Sequence, residues 1–144
     1  MKNLYLIPCL LFLFSCNKSK SVFVPAEVPV KKLVEYRIFA VRDYSAPDFA
    51  KTTAEIHLGI GATSHESGQS KLIWDSIISP RNISTFPLED LPIIIRKDLT
   101  VIESKEDAIV SYWIRYVTGT YVGDRAAGEY FQSGQIEKKM DVAL

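Results

Sequence analysis

From Leu33 onward, apolar and polar side chains alternate with a period of two, and this leaves the chain little choice but half-buried β-strands. In residues 34–41, Val34, Tyr36, Ile38 and Ala40 fall on one face, with Glu35 and Arg37 opposite. Residues 53–60 repeat the device: Ala54, Ile56, Leu58 and Ile60 point one way, Glu55 and His57 the other. Successive strand side chains point to opposite faces, so each segment can press one face on a core while the other stays wet. Residues 71–78, with Leu72, Trp74 and Ile78 on the inner phase, follow the polar turn cluster 64–68 and complete a hairpin with 53–60. Residues 93–102 read as a further strand. The charged turn 103–107 then leads into residues 109–118, whose Val110, Tyr112, Ile114 and Tyr116 share a face predicted to be core. Residues 136–144 alternate through Ile136, Met140, Val142 and Leu144, a terminal edge strand that Lys138 and Lys139 guard against pairing with another chain.

Pro80, Pro87 and Pro92 exclude a central strand from residues 80–92, because proline lacks the ladder donor, and the segment reads as a crossover between sheets. Gly119, Gly123, Asp124 and Gly128 read as turns around short extended pieces. No helix is strongly signalled: residues 45–51 offer Ser45 as a cap, but Pro47 and brevity limit them to one turn or a loop. Six to eight short strands with a crossover near the middle specify an all-β fold, a two-sheet β-sandwich of immunoglobulin-like or transthyretin-like kind. The paired core cysteines of immunoglobulin domains are absent, so the expectation concerns architecture alone.

The sharpest motif lies at the start of the chain. Behind Lys2, residues 4–14 form an apolar run too short for a membrane span of about 20 residues, and Ser15 and Cys16 close it. Leu13, three positions before Cys16, and Ser15, directly before it, resemble the lipobox of bacterial lipoproteins; Phe14 departs from the small or β-branched residue usual between them. The resemblance implies a diacylglycerol thioether on Cys16, cleavage between Ser15 and Cys16, and N-acylation of the new terminus. Three acyl chains imply stable anchoring in a lipid bilayer, where one chain gives only marginal binding. The expected organisation is a cleaved signal peptide over 1–15, the lipidated cysteine and a tether over 16–32, and a β-sandwich domain over 33–144. The tether carries Lys18, Lys20, Lys31, Lys32, Pro25 and Pro29 but no glycine, and at about 3.1 Å per residue it spans up to about 50 Å. Val22, Phe23, Val24, Val28 and Val30 make it more apolar than a free linker needs, so part of it is available for a first strand.

Cleavage and lipidation also restrict the chemistry. Cys9 leaves with the signal and Cys16 is consumed by lipid, so the mature domain holds no disulfide, thiolate nucleophile or cysteine metal ligand. Loss of Lys2 leaves 16 of the 17 basic side chains against 17 acidic ones, which gives no electrostatic case for nucleic acid. His57, on an outward strand face, and His65, in the next turn, lack the spacing that gathers imidazoles around a metal. There is no Gly-x-Ser-x-Gly elbow or glycine-rich phosphate loop, and spacing nominates no carboxylate pair. Glu103, Glu106 and Asp107 read as a solvated hairpin tip rather than a calcium loop. No catalytic residue, metal or cofactor is assigned, and the expectation is a protein that is not an enzyme.

Trp113 and Arg115 form the candidate binding surface. If Tyr112 and Ile114 are core, Trp113 is left on the second face beside a guanidinium, a pairing suited to stacking on a sugar ring or anchoring a protein. The competing reading is a tryptophan covered by a neighbouring strand. The chain also looks like the small all-β lipoproteins of the Bacteroidota. That resemblance implies O-glycosylation at Asp followed by Ser or Thr and an apolar residue, the pattern of Asp75, Ser76 and Ile77, although the alternation turns Ser76 inward. The acidic residues that follow the cysteine in surface-exposed members are missing from residues 17–20, which implies an outer-membrane lipoprotein facing the periplasm. The functional expectation is a non-catalytic envelope lipoprotein whose sandwich binds a partner protein or glycan, or serves a structural role. The alternatives are a hydrolase of envelope polymers and an inhibitor or immunity-type protein that acts through its loops.

Overall fold

The alternating segments become strands in the computed structural model, which describes residues 27–144. The signal, the lipobox at Leu13, Ser15 and Cys16, and the tether up to residue 26, including Lys18 and Lys20, lie outside the described residues. Among those described, the strands are β1 (Val30–Phe39), β2 (Thr52–Ser64), β3 (Ser70–Asn82), β4 (Ile93–Val101), β5 (Glu106–Thr118), β6 (Tyr121–Tyr130) and β7 (Glu137–Ala143). They form two sheets, ordered β4-β1-β7 and β3-β2-β5-β6, that pack face to face as a β-sandwich. Every pairing is antiparallel except that of β1 with β7. The order departs from the immunoglobulin arrangement, in which the first two strands are neighbours in one sheet.

Most of the inward phases read from the sequence form the core, joined by Ile83, Phe86, Leu99, Val101 and Phe131. Val34, Tyr36 and Ile38 of β1 and Met140 and Val142 of β7 meet Ala54, Ile56, Leu58 and Ile60 of β2 and Val110, Tyr112 and Ile114 of β5. Each fully buried large apolar side chain contributes about 1.5–3 kcal/mol, so a core of this size holds the fold without a disulfide. Tyr116 sits at its margin, and Ile136 is exposed because β7 starts one residue later.

Several boundaries differ from the sequence reading; β2 runs on to Ser64 and β5 starts at Glu106, inside the segment read as a charged turn. β1 starts at Val30, inside the stretch assigned to the tether, and Lys32 is 3% exposed. Its ammonium enters the fold because Glu103 and the Gln135 carbonyl receive it above the Phe131 ring. Gly123, Asp124 and Gly128 lie within the unbroken strand β6, which pairs with β5 along its whole length; of the residues read as turns there, only Gly119, at φ +59°, makes one. Pro80 sits inside β3, where an edge position spares it the ladder bond, and the crossover begins after Asn82. The segment read as one turn or a loop makes a 3-10 turn, Pro47–Phe49, that starts from Ala46 rather than Ser45, and a second, Ile83–Thr85, lies in the crossover.

The outer face of the three-stranded sheet is wet and laced with charge: Arg96 pairs with Glu35 at 2.7 Å and Arg37 with Asp141 at 3.1 Å. The outer face of the four-stranded sheet is of another kind.

Candidate functional site

Residues paired across antiparallel strands lie side by side, so the register draws the outer face of the four-stranded sheet as rows. The central row runs Asp75, Gly59, Ser111, Gly128 from β3 through β2 and β5 to β6. One flanking row is Ile77, His57, Trp113 and Ala126; the other is Leu72, Gly61, Ile109 and Tyr130. A row of small side chains between taller ones makes a trough across the strands. Same-face rows are about 6.5 Å apart and strands about 4.8 Å, so it measures roughly 13 Å between ridges and 14 Å along its length. A hollow of about 480 Å³ opens there, lined by His57, Gly59, Asp75, Ser111, Trp113 and Gly128 among others.

Glycine keeps the floor low. A Cβ on Gly59 would stand 3.1 Å from Ser111 Oγ; in the flanking row, where Gly61 leaves a gap in the ridge, one on Gly61 would stand 3.1 Å from the Lys71 carbonyl oxygen and 3.2 Å from Ile109 Cγ2. The taller ridge is aromatic: the His57 ring lies over Trp113 with centroids 4.6 Å apart and planes at 58°. Glu55 Oε1, 2.5 Å from His57 Nε2, orients the imidazole from two residues back along β2. Ser111 Oγ donates to the Gly59 carbonyl at 3.3 Å. From the opposite sheet, Tyr36 Oη reaches the Gly59 and Ser111 carbonyls beneath the floor, and burial pushes its phenol above the usual tyrosine range. Asp75 is exposed at one end of the trough and makes no ion pair among the described residues.

The structure places Trp113 on the outer face of β5, partly covered by His57 and partly open to the hollow, between the two readings that the sequence offered. Arg115 is on the same face but one row beyond the aromatic ridge, opposite Asp124, and does not line the hollow. Ser76 lies opposite Leu58 on the inner phase of β3, half-buried, as the alternation indicated. Leu72 is corrected: a register shift between Ile60 and Gly61 turns it to the outer face, where it is 67% exposed. His65 stands eight residues from His57 along the chain, at the β2–β3 turn, with Nε2 3.1 Å from Asp107 Oδ2. The Asp107 hydrogen bond raises its pKa above the ordinary histidine value. Among the described residues no three His, Cys, Asp or Glu side chains group closely enough to hold a metal ion. The roles of His57, Asp75 and the glycine row were missed. Their one sequence signal is that Gly59 and Gly61 share the phase of His57, thinning that face of β2.

Compared with protein-family models, curated proteins and solved structures, the chain gives no significant match.

Proposed function

We propose that this protein is a lipid-anchored lipoprotein of the outer membrane whose β-sandwich is a non-catalytic binding module, presenting the outer face of its four-stranded sheet to an envelope protein or glycan. The observation that carries this reading is the contrast between the two outer faces. One is covered by ion pairs; the other exposes Leu72, Ile77 at 55% and Tyr130 at 54% around a trough edged by Trp113. A solvated sheet face is ordinarily polar, and a contiguous apolar patch rimmed by polar groups marks an interaction site. The lipobox resemblance at Leu13, Ser15 and Cys16 supports the anchor, and the missing acidic residues after Cys16 support the periplasmic side.

Two measurements test this. In detergent phase partitioning, the full chain enters the detergent phase and Cys16→Ala stays in the aqueous phase; equal partitioning removes the anchor. In binding to detergent-stripped envelopes, Trp113→Ala loses several-fold in affinity, whereas Arg37→Ala on the opposite face does not. Unchanged binding by Trp113→Ala removes the binding face.

A further inference from the structure

We infer that the trough is a carbohydrate site: one pyranose ring of a neutral glycan lies over Gly59, Ser111 and Gly128, its C–H face against the Trp113 ridge and its hydroxyls toward Asp75. This deepens the binding reading and rests on it. The shape comes first. The floor strands commit their backbone N–H and C=O groups to the ladder, so the floor offers a flat surface rather than hydrogen bonds, and its glycines let a ring approach within van der Waals distance. Side-chain polar groups line the hollow at its floor and edges: Ser111 in the central row, Asp75 at the end of that row and His57 beside Trp113.

Charge then selects the ligand. An apolar side chain laid in the trough would cover Asp75 and return no donor, a costly desolvation of a carboxylate. An anionic ligand would meet the same carboxylate with no lysine or arginine in the lining, since Arg115 stands outside it, and His57 already faces the Glu55 carboxylate. A sugar ring answers both demands, because its hydroxyls donate to the carboxylate while its C–H face covers the indole. β3 and β6 are both edge strands, so the trough is open at each end. That suits a ring within a longer chain rather than a chain terminus.

The test is calorimetric titration of the detergent-solubilised full chain with cellotriose, maltotriose, chitotriose and mannotriose. At least one binds saturably, and Trp113→Ala, Asp75→Asn and Gly128→Leu each weaken it roughly tenfold or more. Gly128→Leu fills the hollow with little risk to the fold, because a Cβ there meets no atom closer than 3.5 Å; Asp75→Asn alters only an exposed group. The inference is overturned if none of the four sugars saturates, or if Gly128→Leu binds like the wild type. Envelope binding separates the two levels of argument. If Gly128→Leu abolishes it and protease treatment of the envelopes abolishes it, while periodate oxidation of their glycans does not, the trough holds a protein. The carbohydrate inference then falls and the binding reading stands. If Trp113→Ala and Gly128→Leu both leave envelope binding unchanged, both fall.

Discussion

Tyr36 Oη donates to the Gly59 carbonyl at 2.7 Å, a hydrogen bond that leaves one sheet, crosses the core and ends beneath the floor of the trough on the other. The same hydroxyl is 3.3 Å from the Ser111 carbonyl, so one buried phenol supports both central strands of the floor. Its ring packs against Trp74, centroids 6.1 Å apart, and keeps the two sheets in register. Tyr36→Phe preserves the ring and removes only the hydroxyl. The expected cost is about 1–2 kcal/mol, the usual range for a hydrogen bond whose buried partners remain. Urea denaturation measures it, and a change below about 0.3 kcal/mol would show that the floor needs no support from below.

The glycines of the trough are not equivalent. At Gly61 a methyl group presses on the Lys71 carbonyl and on Ile109 Cγ2, both within 3.2 Å, and backbone cannot step aside cheaply. Gly61→Ala is therefore expected to destabilise by about 1–2 kcal/mol. At Gly128 the nearest atoms are 3.5 Å away, an ordinary contact, and alanine suits an extended strand better than glycine. Gly128→Ala should fall within about 0.5 kcal/mol of the wild type. Equal effects at both positions, read from thermal melts, would remove the close-approach explanation for Gly61.

The strands were legible because period-two alternation is local: the phase of Val34, Tyr36 and Ile38 needs no partner to be read. The trough was not, because it is made by register. His57, Trp113 and Ala126 become neighbours only when β2, β5 and β6 are paired, and no window along the chain contains that pairing. Leu72 shows the limit most clearly. Its phase placed it in the core with Trp74, and one irregularity in the β2–β3 ladder moved it to the opposite face. Lys32 failed for a different reason, since a lysine in a polar stretch reads as solvated until an acid 71 residues away is found beside it.

That acid gives the next prediction. Lys32 is buried, and its Nζ is shared between Glu103 Oε1 and the Gln135 carbonyl. Removing Glu103 alone strands the ammonium, whereas replacing both partners removes the problem. Glu103→Gln should therefore destabilise more than the double change Lys32→Met with Glu103→Gln. Lys32→Ala also loses the contact of its ammonium with the Phe131 ring, 4.9 Å from the centroid, and should cost about 1–3 kcal/mol. The hydrogen bond from Lys32 holds the Glu103 carboxyl below its ordinary value of 4.5. Its contribution is present above pH 4.5 and is lost as pH falls through the lowered folded value. Stability measured down an acid series should drop more steeply below pH 4.5 in the wild type than in Glu103→Gln.

His65 works in the opposite sense. It bridges two turns: its backbone N–H donates to the Lys105 carbonyl at 2.7 Å and its imidazole meets Asp107. Because the Asp107 hydrogen bond raises its pKa above 6.5, folding favours the protonated ring. That contribution is complete below pH 6.5 and disappears as pH rises through the raised folded value. The two contributions overlap between about pH 4.5 and 6.5, so the combined effect of Glu103 and His65 is greatest there and declines on either side. Melting temperatures at pH 6 and pH 8 should therefore differ in the wild type, higher at pH 6, and the difference should shrink in His65→Gln and equally in Asp107→Asn. If Asp107→Asn keeps the full difference while His65→Gln loses it, the proton is held by something other than this pair, and the link between the two turns reduces to the Lys105 backbone bond.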